Sequence, residues 1–138
     1  MISTDVLSFV KQNQVYLDHL YKGYNEAVTE STKKGWQMIT RKTPVDTGRA
    51  RASWEVGVNR RKYIRLPKTP RGTRAYSDPM LRNFKFDIRN HTAIYISNIL
   101  PYVPYLEHGT QRIRPHGMVS TSTATIQRSL RYRLTRIK

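Results

Sequence analysis

The chain of 138 residues contains no cysteine. That absence excludes a disulfide scaffold, a zinc finger or ribbon, and any thiol nucleophile. Acidic residues are scarce as well: nine Asp and Glu stand against 25 Lys and Arg, a formal charge of +16. A nuclease holds Mg²⁺ with clustered carboxylates, and nine acids spread this thinly supply no such cluster. Long apolar runs are missing too. The longest, Ile99 to Leu106, is eight residues with two prolines, so no membrane-spanning helix is expected. The start, MISTDVLSF, lacks the basic opening and unbroken apolar stretch of a secretory signal.

Recognisable catalytic motifs are absent as well. Gly48, Gly57 and Gly72 form neither a GxGxxG fingerprint nor a phosphate cradle, and no serine sits in a GxSxG elbow. His19, His91, His108 and His116 have no metal-ligand spacing. Glu107 and His108 are adjacent, so in a helix their side chains diverge by about 100° and form no joint site. The expectation is a non-enzyme without metal or cofactor.

What is present is a core and a concentrated charge. At 38% hydrophobic, with two Trp, nine Tyr and three Phe, the chain can build one folded domain over 1–138. Residues 1–40 are neutral, with Lys11, Lys22, Lys33 and Lys34 against Asp5, Asp18, Glu26 and Glu30. Residues 41–138 therefore hold the whole +16, and sixteen of the 25 cations are Arg, whose planar fork suits phosphate and carboxylate. One dense segment is Arg60, Arg61, Lys62, Arg65, Lys68, Arg71 and Arg74, interleaved with Tyr63 and followed by Tyr76. The other runs from Arg112 and Arg114 through Arg128, Arg131, Arg133 and Arg136 to Lys138. A solvated basic face is one reading. Like charges this dense repel unless something neutralises them, which points to a contact surface for nucleic acid, an acidic protein or a neighbouring subunit.

The apolar pattern predicts an α+β domain with N-terminal helices, a small antiparallel sheet with a hairpin, a long basic arm and a C-terminal amphipathic helix. Ser3 or Thr4 can cap a helix carrying Val6, Phe9, Val10, Leu17, Leu20, Tyr21 and Tyr24, and a second series runs through Ala27, Val28, Trp36 and Ile39. These read as two helices, or one kinked near Gly23, ending near Arg41 ahead of Pro44. Tyr16, Tyr21 and Tyr24 read as core or interface residues. Residues 43–48 are a turn in which Asp46 and Thr47 can bond nearby amides and Gly48 allows positive φ. Alternation from Arg49 to Asn59 predicts a half-buried strand whose first turn could be helical. Residues 60–82, with Pro67, Pro70, Gly72 and Pro79, read as the arm. A hairpin is expected over about 83–89 and 92–98 with its turn at Asn90. One or two helical turns closed by Gly109 follow, and a last helix starts near Ser120 or Ser122 with Ile126, Leu130, Leu134 and Ile137 on one face.

Two blocks together resemble a known family. Thr43-Pro44-Val45-Asp46-Thr47-Gly48-Arg49-Ala50-Arg51-Ala52-Ser53-Trp54 resembles the TPVDTGxLxxSW signature of tailed-phage neck and tail-completion proteins, akin to the minor tail protein Z type of lambdoid phages. Asn98, Pro101, Tyr102, Glu107, Gly109 and Thr110 resemble that family's second block, xNxxPYAxxxExGT. Ala50 stands where a larger apolar residue is usual, Val103 where a small one is common, and 60–82 is longer and more basic than the family pattern.

The resemblance implies a structural virion protein, assembled in the host cytoplasm, that forms a ring at the head–tail junction. Implied partners are further copies of itself, the adjacent connector or stopper, tail terminator or tail tube proteins, and DNA passing through the channel. It carries over Pro44, Asp46, Thr47, Gly48, Ser53 and Trp54, then Asn98, Pro101, Tyr102, Glu107 and Gly109, as turn and packing residues. A ring of six would carry six times +16, or +96, whereas duplex DNA over roughly 40 Å presents about 24 phosphates. Most of the basic surface is therefore expected to face protein. The alternative is a free basic nucleic-acid-binding protein.

Overall fold

The computed structural model describes residues 4–46, 48–62 and 84–137. Expectations for Thr47, Arg65, Lys68, Arg71, Arg74 and most of the arm lie outside the described residues. The fold is α+β. Helix α1 spans Thr4–Lys42, α2 Arg49–Ala52, strand β1 Trp54–Val58, β2 Ile94–Asn98, α3 Val103–His108 and α4 Met118–Leu134.

The N-terminal segment is one helix of 39 residues, about 58 Å long, rather than two. Gly23 does not break it. A Cβ there would sit 3.1 Å from the Ile137 side chain, so the residue marks a close approach of the segment after Leu134 instead. Pro44 acts as expected, and α1 closes with the Thr43 amide donating to Ile39 O at 3.0 Å.

α4 lies antiparallel along the C-terminal half of α1: Ser122 and Ile126 meet Gly35, Ser129 meets Ser31, and Ile137 meets Gly23. The crossing is closest at Gly35, where an added Cβ would collide with Ile126. Ser122 Oγ donates to Gly35 O at 2.6 Å, and Ser31 Oγ donates to Ser129 Oγ at 3.0 Å. Small hydroxylated side chains let the backbones approach while every buried hydroxyl finds a partner. The face of α4 that is most buried is therefore Met118, Ser122 and Ser129, and the expected stripe of Ile126, Leu130, Leu134 and Ile137 is half-buried beside it. The helix also starts earlier than expected, at Met118 after Gly117 (φ 57°).

The sheet has two antiparallel strands, paired from Trp54 opposite Asn98 to Val58 opposite Ile94. The expected hairpin of 83–89 with 92–98 does not form. The turn is present, with the Asn90 and His91 amides both donating to Asp87 O, but the amides that a ladder would use go to α1. Phe86 N–H donates to Thr29 Oγ1 and Ile88 N–H to Asn25 Oδ1, each at 2.9 Å. Phe84 and Phe86 are buried against the body as irregular chain. The strand expected from Arg49 likewise begins only at Trp54, its first residues being α2.

One core gathers Ile39, Ala50, Trp54, Leu100, Val103 and Met118, with Ile96 and Leu106 against it. It joins α1, α2, both strands, α3 and the start of α4, which is where the two sequence blocks meet.

Candidate assembly interface

The first block closes around Thr43, which is fully buried. Its hydroxyl donates to Ile39 O at 2.6 Å and accepts the Trp54 indole N–H at 2.8 Å. The Trp36 indole N–H in turn donates to Trp54 O at 3.3 Å. Gly48 caps α2 with φ 81°, a left-handed backbone that favours glycine. Ser53 is buried and its Oγ donates to Arg49 O at 2.7 Å, closing α2 from the other side. Arg51 reaches back and donates to Thr43 O at 2.9 Å.

The second block is tied to the first through Asn98. Its Nδ2 donates to Ala50 O at 2.8 Å, while its Oδ1 accepts the Leu100 amide at 3.1 Å. Glu107 then serves as a cap donated from one helix to another. Its Oε2 accepts Val119 N–H at 2.7 Å and its Oε1 accepts Ser120 N–H at 3.0 Å, satisfying orphan donors in the first turn of α4. Partial burial alone would raise the Glu107 carboxyl. The Val119 and Ser120 hydrogen bonds, aided by the charge of His108, outweigh it and hold the group below the ordinary glutamate range. Gly109 ends α3 at φ 78°, its amide donating to Tyr105 O at 2.9 Å.

Both blocks line one groove of about 480 Å³, formed by Pro44, Val45, Asp46, Gly48, Arg49 and Ala50 on one side and Tyr102, Leu106 and His116 on the other. Val45 and Tyr102 present exposed apolar surface there, and Asp46 is exposed. Pro101 is exposed beside it. The remaining carried-over residues are interior: Gly48, Ser53 and Trp54 are buried, and Asn98, Glu107 and Gly109 half-buried. They shape the groove without bringing reactive groups into it. Among the described residues no cluster of three His, Asp or Glu could hold a metal ion.

The base of the arm lies back over the sheet. Asn59 turns the chain at φ 61°, and its Oδ1 accepts the Thr92 amide at 2.7 Å. Ser97 Oγ then donates to Lys62 O at 3.1 Å, and the backbone at Arg60 runs so close to Gly57 that no Cβ would fit there. Arg60, Arg61 and Lys62 are exposed, with the Arg61 guanidinium 6.0 Å from the Tyr95 ring. On the face of β1 carrying Gly57, Glu55 is 2% exposed and its Oε2 has no hydrogen-bond partner. Burial pushes its carboxyl up, and the charge of Lys62 only partly opposes this.

The expected basic residues of the C-terminal helix do not share one surface, and Arg136 lies beyond α4, which ends at Leu134. Arg128, Arg131 and Arg136 are exposed, the last stacked 4.1 Å from the Tyr132 ring. Arg133 is half-buried and lines a cleft with His19, Gly23 and Glu26 of α1. The roles of Thr43, Gly35 and Glu55 were not expected. A mid-helix glycine signals close packing, Glu55 breaks an otherwise apolar strand, and Thr43 opens the first block, which marks the position but not the two bonds of its hydroxyl.

No family model matches the chain, and neither a curated protein nor a solved structure is significantly similar to it. Among the described residues, no helix is long and apolar enough to cross a membrane.

Proposed function

We propose that this chain is a structural protein of the tailed-phage head–tail junction, forming a ring around the DNA channel and joining tail to capsid connector. It would assemble in the host cytoplasm and remain in the virion. One observation carries the reading: the two sequence blocks on which the resemblance rests, about fifty residues apart, are joined by the Asn98–Ala50 hydrogen bond and line a single groove. A shaped groove supported by buried turn residues fits protein docking. The basic arm and the outer face of α4 then serve neighbouring proteins, with a minority of the charge facing DNA.

The test is localisation. Antibody labelling of purified particles is expected to mark the neck, and particles that lack the chain would overturn the reading. Charge reversal at Arg60, Arg61, Arg65 and Arg71 should block joining of heads to tails while leaving the fold intact.

The second reading, a free nucleic-acid-binding protein, draws on Arg128, Arg131 and Tyr132 of α4 and on Arg136, stacked on Tyr132 from just beyond it. Duplex binding measured across a salt series separates the two. Tight binding with a steep salt slope carried by most of the basic residues favours the second; weak, shallow binding favours the first.

A further inference from the structure

All fifteen residues from Asp5 to His19 are exposed, although they form the first four turns of α1. α4 covers α1 only as far as Gly23, where Ile137 packs. The helix therefore extends about 25 Å past the cover provided by α4. An isolated helix of that length is marginal in water even with favourable residues.

The exposed part is amphipathic. Val6, Val10, Leu17, Leu20 and Tyr24 fall on one line that continues into Ala27 and Ser31, the residues buried along the contact with α4. Phe9 and Tyr16 widen this face on one side, Leu7 flanks it on the other and Asn13 lies within it, while Ser8, Lys11, Asp18 and Lys22 occupy the back together with Val15. Phe9 is 67% exposed, Val10 56% and Leu17 42%. The surface that seats α4 on one half of the helix thus continues, apolar and exposed, along the other half.

We propose that this half-helix is the self-association surface of the protein, buried against further copies of the chain. Two observations choose that occupant. The first is continuity, because an apolar helix laid beside Val10 and Leu17 extends the existing α1–α4 packing. The second is charge. Residues 1–22 balance Asp5 and Asp18 against Lys11 and Lys22, so this end attracts neither DNA nor an acidic protein.

Half the surface of a helix 25 Å long is roughly 500 Å², short of the roughly 800 Å² per partner of a standard interface, so adjoining surface of the body must add to the contact. The inference gives a surface to the self-association in the preceding reading and in that respect rests on it.

The experiment is sedimentation velocity on the purified full-length chain over a concentration series. Concentration-dependent self-association is expected, and the double variant Val10→Glu/Leu17→Glu should weaken association on the order of a hundredfold. Ser8→Glu, on the polar back, should assemble as the wild type does. Because the chain has no cysteine, Val10→Cys copies should cross-link with a short bis-maleimide, and Ser8→Cys copies should not. A wild-type monomer at every concentration, a double variant that assembles normally, or equal cross-linking at both positions overturns the proposal. Assembly through Val10 with no labelling of particle necks leaves this surface standing and removes the head–tail assignment.

Discussion

The Trp54 indole donates its N–H to the Thr43 hydroxyl across eleven residues of sequence, and both side chains are buried. The hydroxyl in turn donates a hydrogen bond to Ile39 O, so one threonine joins the end of α1 to the start of β1. Thr43→Val keeps the shape and removes the acceptor, leaving the indole donor unsatisfied. A loss of about 1–3 kcal/mol in urea-unfolding stability is expected. Thr43→Ser should lose appreciably less, and equal losses for the two variants would show that the hydroxyl contributes little.

Two glycines of α1 should respond oppositely to alanine. In an exposed helix interior Gly→Ala stabilises by about 1 kcal/mol. At Gly35 the added methyl collides with Ile126 at the closest point of the crossing, and a net loss of about 1–3 kcal/mol is expected. At Gly23 the nearest atoms belong to the Ile137 side chain, 3.1 Å away and beyond the end of α4, which need give by only a few tenths of an ångström, so the change should be neutral or stabilising. A double-mutant cycle of Gly35→Ala with Ile126→Ala measures the clash, with positive rescue expected.

Glu107 predicts a pH dependence. Its carboxyl lies below its ordinary range in the fold, so the cap stabilises fully above the unfolded-state value and is lost as pH falls through the folded-state value. Glu107→Gln should cost about 0.5–1 kcal/mol at neutral pH, and the gap to wild type should close on acidification. Unfolding curves at neutral and acidic pH check this, and a gap that persists in acid would assign the loss to packing.

Glu55 has the opposite sign. Burial raises its carboxyl, so the neutral form is the better fit and its contribution is lost as pH rises through the raised value. Glu55→Gln should therefore stabilise the protein at neutral pH, by about 1 kcal/mol, and be indistinguishable from wild type in acid. A destabilised variant at neutral pH would instead make the ionised carboxylate a necessary partner of Lys62.

The fold class and most elements were legible because periodicity reports burial. Pro44 ended α1, Gly48 and Gly109 took positive φ, and alternation at Trp54–Val58 and Ile94–Asn98 marked true strands. Their pairing was not legible. Alternation does not say which strand lies alongside, and proximity in sequence favoured a hairpin that the Thr29 and Asn25 side chains displace. At β1 alternation also misplaced the burial, since Glu55 and Gly57 are buried while Val56 and Val58 are half-buried. The α1–α4 contact was hidden for a related reason, since it is made by glycine and serine rather than by large apolar residues. The groove could be located only once Asn98 was seen to reach Ala50.

Ser31 and Ser129 meet across 98 residues of sequence, so the cover of α1's buried half comes from the far side of a very long loop. Closing that loop costs chain entropy before the α1–α4 seam rewards it, which makes this contact a slow event of folding. Until it closes, α1 stands with apolar residues on both halves open to water.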